Sequence, residues 1–320
     1  MRYIVTGGSG FIGTNVIALL LSKNYDILNI DIREPQNKDH FNYWIDCNIC
    51  NYDKLRKLIL DYDPDYIIHL AARTDLVGEK LNDYSANIDG VKNLMNISTE
   101  LNELKKIVIA SSMLVCELGY FPKNFNDYKP NTLYGESKVL TEKIVKKFKN
   151  SWTIVRPTSI WGPWFGEPYN NFFRLVLMGA YFNINEKEAA NKTFGYVKNT
   201  SNQILDICNS KNKNVIHNYF YLGDKKPINI THWANEIRNL SGKKKLITIN
   251  KSLFKAMCLF GDFIFKYLKI KTPLNSFRFK NMTTDNIIDL SKLNEFCSGN
   301  NYNDFRTNIS ETIYWIKNTK

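Results

Sequence analysis

A doubly wound α/β sheet followed by a smaller carboxyl-terminal lobe is what this 320-residue chain predicts. Three observations carry that expectation. Short apolar runs alternate with stretches of helical spacing through the first half, the pattern of a parallel sheet with crossover helices. A glycine-rich turn stands between the first run and the first helix. Beyond about residue 160 the alternation weakens, and proline, glycine and aromatic residues collect instead.

Composition agrees with a globular chain that has a large core: 44% hydrophobic, 13% aromatic and 23% charged residues. These values exclude disordered and collagen-like classes. The net charge of +12 suits a phosphorylated ligand or nucleic acid. The basic residues read as scattered, solvated lysines, and no block resembles a nucleic-acid tail, so no nucleic-acid partner is expected. No basic leader precedes the first strand, and no uncharged apolar run reaches ~18 residues. A cytoplasmic protein without a membrane span is expected. The six cysteines are thinly spread and read as free thiols of a reducing compartment. Cys47 and Cys50 form a C-x-x-C, but two further ligands at suitable spacing are missing nearby, so no metal is expected.

The elements follow in order. Arg2–Thr6 reads as a buried strand, Gly7-Gly8-Ser9-Gly10-Phe11-Ile12-Gly13 as the turn, and residues 15–21 as an apolar helix. Gly7 allows the tight turn, Gly10 lets backbone approach a pyrophosphate, and Gly13 lets helix and strand pack closely. Residues 25–30 form the next strand and end in Asp31, an acid placed to accept hydrogen bonds from ribose hydroxyls. These two signals together predict dinucleotide binding on a Rossmann-type fold. A polar loop (33–40), a short strand (43–45) and the helix Tyr52–Tyr62 come next. Residues 66–70 are a near-continuous apolar run, hence a buried parallel strand. A long helix is predicted over 84–102, a strand over 106–110, a helix over 134–149 and a strand over 152–155.

The nucleotide-binding domain is therefore placed at 1–160, with a return at 194–223. The smaller lobe takes 161–193 and 224–320. The loop holding Pro157, Gly162, Pro163, Gly166 and Pro168, with Trp161, Trp164 and Phe165, lies where a ligand cleft is expected. Residues 231–240 read as an amphipathic helix. Residues 253–268 are apolar nearly all round, with Lys255, Asp262 and Lys266 on one stripe. That pattern predicts a buried helix of the smaller lobe. A dimer contact or a membrane-surface contact is the alternative.

The chemistry sits in Tyr134-Gly135-Glu136-Ser137-Lys138. Positions i and i+4 share a helix face, which sets Lys138 beside the Tyr134 phenol. A free tyrosine has a pKa of about 10 and is a poor base at neutral pH. A neighbouring ammonium favours the phenolate. Ser111 and Ser112 end the 106–110 strand at the same sheet edge, where a hydroxyl can hold a reacting oxygen.

These stretches resemble the extended short-chain dehydrogenases/reductases, which include nucleotide-sugar epimerases, dehydratases and reductases. The resemblance covers almost the whole chain. Residues 6–13 match the T-G-G-x-G-F-I-G turn, which places Phe11 and Ile12 with Gly7, Gly10 and Gly13 at the cofactor. His69-Leu70-Ala71-Ala72 matches the H-x-A-A stretch lying against the cofactor, and Asn87 matches an asparagine before the long helix. Asn48-Ile49 stands where the family has D-[IL] against adenine. Residues 156–163 match R-P-x-x-x-[YW]-G-P, with Pro157 at the cofactor and Trp161 toward the substrate. Phe194 to Asn199 resembles F-x-x-V-x-D, with Asn199 in place of the aspartate.

The resemblance implies that Ser112, Tyr134 and Lys138 form a catalytic triad, with Tyr134 and Lys138 also touching NAD. It implies a nucleotide sugar contacted by Arg73, Ser112 and Trp161, and a homodimer through the 84–102 and 134–149 helices. Arg278 is a further candidate for the substrate diphosphate, because arginine suits a bidentate phosphate contact; the alternative is a surface arginine. Asp31 favours NAD, while Arg33 leaves NADP open. After Ser112 come Met113-Leu114, where sugar dehydratases carry Asp-Glu, and neither side chain can transfer protons. The expected activity is a nucleotide-sugar 4-epimerase. The alternatives are a reductase or dehydrogenase of a keto sugar or sterol-like alcohol, and a non-catalytic NAD sensor on the same fold.

Overall fold

The computed structural model describes residues 1–270, 272, 274–297 and 304–319. The chain divides into two compact units. The first comprises Met1–Ile160, Gly195–Gly223 and Asp289–Tyr302, and the second Trp161–Phe194, Asp224–Ile288 and Asn303–Lys320.

The first unit is built on a seven-stranded parallel sheet. Its strands are β1 (Arg2–Thr6), β2 (Asp26–Asp31), β3 (Trp44–Asp46), β4 (Tyr66–His69), β5 (Lys106–Ala110), β6 (Trp152–Pro157) and β7 (Asn218–Leu222). Their order across the sheet is β7-β6-β5-β4-β1-β2-β3. The chain runs outward from β1 through β2 to β3, then returns to the other side of β1. The switch point therefore lies between β1 and β4. Register keeps the carboxyl ends level: Thr6 pairs with Ile30 and His69, His69 with Ile109, and Ile109 with Ile154.

Helices cover both faces because successive strand residues point to opposite sides. Val5, Ile68, Val108 and Val155 pack with Val16, Ile17 and Leu20 of α1 (Phe11–Ser22) on one side. Ile4, Ile67, Ile107 and Ile154 pack with Leu55 and Ile59 of α2 (Tyr52–Tyr62) and with Leu94 and Met95 of α3 (Val91–Ser98) on the other. The predicted 84–102 helix is shorter and less regular: a π-helical turn, Ala86–Gly90, precedes α3. The helix α4 (Leu133–Val145) carries the catalytic candidates, and α5 (Val197–Asn209) returns to the sheet. Residues 289–297 also belong here rather than to the second unit, since Leu293 and Cys297 are buried in the α5 side of this core.

The second unit is held by aromatic packing. Trp161 lies against Phe173 and Trp233, with ring centroids 5.6 and 5.1 Å away, and Phe194 lies 4.7 Å from Trp233. The helices Tyr169–Met178, Ile230–Leu240 and Phe305–Asn318 supply the surrounding walls. The helix Lys251–Leu268 departs from the sequence expectation. Only Phe254, Cys258 and Gly261 are buried, Met257 and Ile264 are half-buried, and the other large apolar side chains face solvent. Periodicity cannot distinguish an all-round apolar helix that is enclosed from one that is half exposed. No helix among the described residues is long and apolar enough to cross a membrane.

Candidate active site

The glycine turn and the β4 loop meet at the switch point. Gly7 adopts φ +72°, and a Cβ there would stand 2.5 Å from the Ala71 nitrogen. A glycine is therefore required on both conformational and steric grounds. Gly10 is the N-cap of α1. No side chain caps this helix and no acid stands in its first turn, where Phe11, Ile12 and Gly13 lie. The Asp31 carboxylate, at the end of β2, accepts the Ser9 and Arg33 backbone N–H groups at 3.1 and 3.0 Å. This set fits a dinucleotide: an uncapped helix start for a pyrophosphate, and a fixed carboxylate for ribose hydroxyls. Leu70, Ala71 and Ala72 are half-buried beside the turn, Pro157 is half-buried at the end of β6, and Asn48 is exposed after β3. Ile49 is buried in the α2–α3 core, so its side chain is a packing group.

α4 is started by Thr132, whose hydroxyl accepts the Gly135 N–H at 3.0 Å. A Cβ on Gly135 would collide with the Leu114 carbonyl, so its absence lets the first turn of α4 close onto the turn after β5. That contact brings Tyr134 to Ser112, whose hydroxyl favours the phenolate. Ser112 Oγ accepts the Leu114 N–H at 3.1 Å, which leaves its own proton for the phenol oxygen. One turn on, Lys138 Nζ donates to the Ala110 carbonyl at 2.8 Å.

The electrostatics differ from the sequence expectation. Burial pushes the Tyr134 phenol up to about 12, against a smaller lowering by Ser112, and the Lys138 ammonium is not among the groups that shift it. Burial also brings Lys138 down to about 8. The amine is turned to a carbonyl, and desolvation outweighs the neighbour effect that helical spacing suggests. His69 sits beside this pair. Burial, with the Lys138 charge, lowers it to about 3, so the imidazole is neutral. Its Nδ1 lies 2.6 Å from Thr6 Oγ1, and its Nε2 has no partner among the described residues.

Three of the predicted contacts are placed elsewhere. Asn87 is fully buried; it accepts the Arg73 N–H and donates to the Arg73 carbonyl and Ser137 Oγ at 2.8, 3.0 and 2.9 Å. Its amide ties the β4 loop to α4, so it positions the site. Arg73 is committed to its own loop, with both carboxylate oxygens of Asp75, the Asp83 carbonyl and the Tyr84 ring around its guanidinium. Trp161 is 0% exposed in the aromatic core of the second unit, where a substrate does not reach its face. Arg278, in the second unit, stacks 5.0 Å above the Tyr181 ring.

Sequence reasoning missed a second buried network on the same helix. Arg156 Nε and Nη2 donate to the two oxygens of Glu142 at 2.8 Å each, and both side chains are fully buried. Ser111 Oγ and Tyr128 Oη donate to the same carboxylate at 2.6 and 2.9 Å, and Arg156 Nη1 reaches Tyr221 Oη at 3.1 Å. Ser111 is thus structural and Ser112 is the hydroxyl left for chemistry. The signal was present as Tyr134, Lys138 and Glu142 at successive i+4 positions on one face.

The profile of the NAD dependent epimerase/dehydratase family matches residues 3–210, and the chain belongs to that family. It is an NAD-dependent enzyme of the extended short-chain dehydrogenase/reductase type. Relatives within this class diverge in activity. A 3-beta-hydroxysteroid dehydrogenase of Mycolicibacterium neoaurum is 25% identical over 85% of this chain and 79% of its own. A putative UDP-glucose 4-epimerase of Methanocaldococcus jannaschii is 26% identical over 78% and 79%. The UDP-glucuronic acid 4-epimerase of Bacillus cereus, solved in complex with NAD, shares the fold at a TM-score of 0.73 and 20% identity over 99% of both chains.

Proposed function

We propose that this enzyme is a nucleotide-sugar 4-epimerase that works through a transient keto sugar. The observation that carries the reading is the Tyr134 phenol brought to the Ser112 hydroxyl, which favours the phenolate, with Lys138 one helical turn on at the sheet edge that holds the glycine turn. Tyr134 removes the proton from a sugar hydroxyl and later returns it. Ser112 holds that oxygen, and the buried Lys138 ammonium, brought down to about 8, stands one helical turn on as the adjoining proton store. NAD, when bound, supplies the hydride acceptor and a positively charged ring that opposes the burial effect on the phenol. Gly7, Gly10 and the α1 start hold its pyrophosphate, Asp31 holds the ribose hydroxyls and disfavours a 2′-phosphate, and Asn48 faces the adenine. Arg278 is the candidate for the substrate diphosphate. Met113 and Leu114 cannot shuttle protons at neighbouring carbons, which disfavours dehydration.

A second reading, oxidation of an apolar secondary alcohol with net NADH formation, is supported by the similarity to the hydroxysteroid dehydrogenase and by those same two apolar residues. Incubation of the purified protein with NAD, a panel of UDP- and GDP-sugars, and hydroxysteroids separates the two. Epimer formation without accumulation of NADH is expected. Stoichiometric NADH from a steroid alcohol overturns the epimerase reading in favour of the second. Absence of any turnover with NAD bound overturns both.

A further inference from the structure

The helix Lys251–Leu268 takes no part in the chemistry above. One of its faces is docked. Phe254, Cys258 and Gly261 are buried, and the Phe254 ring lies 5.9 Å from Phe279. The Asp262 carboxylate accepts the Ser276 N–H at 3.1 Å. The opposite face carries Leu253, Phe260, Phe263 and Tyr267, which helical spacing aligns. Phe260, Phe263 and Tyr267 are 62%, 55% and 62% exposed. Their rings form a continuous ridge, with centroids 6.4 Å apart between the phenylalanines and 4.5 Å apart between Phe263 and Tyr267. An exposed apolar ridge of this size marks an interaction surface.

Charge identifies what covers it. The positive excess is not spread evenly along the chain. Residues 241–280 contain ten lysines and arginines and a single acid, Asp262, already engaged with Ser276. Lys255, Lys266 and Lys269 are exposed on the helix and just beyond its end. Two copies of this helix meeting across a two-fold axis would set lysines against lysines with no free acid to pair them. An anionic lipid surface satisfies both features at once. Aromatic rings enter the headgroup region, and lysines extend their stems along it to reach phosphates.

We propose that this helix lies in the plane of an anionic lipid surface, with Leu253, Phe260, Phe263 and Tyr267 inserted and the flanking lysines on the headgroups. The proposal is independent of the reaction the enzyme catalyses. The test is sedimentation of the full chain with phosphatidylcholine vesicles, with or without about one-third phosphatidylserine. Tyr267→Trp serves as a fluorescence reporter. Binding to the anionic vesicles alone is expected, reversed by high salt, with a blue shift of the reporter. The pairs Phe260→Ser/Phe263→Ser and Lys255→Gln/Lys266→Gln should each weaken partitioning on the order of tenfold or more. Their melting temperature and soluble-substrate turnover should stay at wild-type levels, because these side chains face solvent. Three outcomes overturn the proposal: no association with anionic vesicles, association that survives both pairs, or a lipid-free dimer or protein complex that the same pairs abolish.

Discussion

Two buried polar clusters hang from one face of α4, and they are treated differently by the fold. In the Arg156 cluster every charged atom is answered. The guanidinium meets a bidentate carboxylate, and that carboxylate also accepts from Ser111 and Tyr128. Burial alone works against the arginine charge, yet the Glu142 carboxylate outweighs it and holds Arg156 above its ordinary value. In the Tyr134 cluster burial wins. The phenol is driven up, Lys138 is driven down, and His69 Nε2 has no partner among the described residues. The first cluster is a saturated brace and the second is left with uncompensated groups, which is the state the proposed reaction would use. Groups held away from their ordinary protonation behaviour in this way are characteristic of reactive sites.

The sharpest way to break this contrast is Tyr134→Phe. Loss of a general base costs on the order of 10³-fold in turnover. Fold and NAD affinity should persist within a few-fold, because the phenol ring remains and the phosphates are held elsewhere. Turnover of the nucleotide-sugar or steroid substrate and NAD titration by fluorescence check this. A variant that keeps near-wild-type rate removes Tyr134 from the chemistry.

Arg156→Met should do the reverse, leaving chemistry groups in place and removing the brace. Stripping one partner from a fully buried pair costs about 3–5 kcal/mol, because Glu142 is left buried and uncompensated. Urea denaturation measures it. The double change Arg156→Met/Glu142→Leu should recover much of the loss. A single variant within about 1 kcal/mol of wild type shows that the network is not structural.

What was legible in the sequence lies at strand ends. The glycine turn, Asp31, Ser112 and the Tyr134–Lys138 pair could be placed because period and spacing carry them, and the parallel sheet sets their common edge. What was not legible depends on partners distant in sequence. Spacing puts Lys138 next to Tyr134, but not the Ala110 carbonyl that claims its amine. Arg73 and Trp161 looked available, yet one is bound by Asp75 and the other enclosed by Phe173 and Trp233. Likewise, the 253–268 composition reads as core, because sequence does not reveal that only one stripe of that helix is covered.

The smallest effect is a pH dependence that separates the two clusters thermodynamically. Lys138 titrates near 8 in the folded protein, against an ordinary value of 10.5. Between those values the unfolded chain holds a proton that the folded chain has released. Stability therefore gains from Lys138 as pH rises through about 8 to 10.5, at ~1.4 kcal/mol per pH unit at most. Below that window the amine is charged in both states and its burial cost is constant. Lys138→Met removes the group from both states, so the wild-type-minus-variant difference in unfolding free energy should slope upward from pH 8 and level off near 10.5. Arg156→Met should give a flat difference across the same range, because that guanidinium stays protonated folded or unfolded. Chemical denaturation of the cofactor-free protein at several pH values measures both curves. A flat Lys138 difference means the amine is charged at its site, and the Tyr134 cluster would then be as well compensated as the brace beside it.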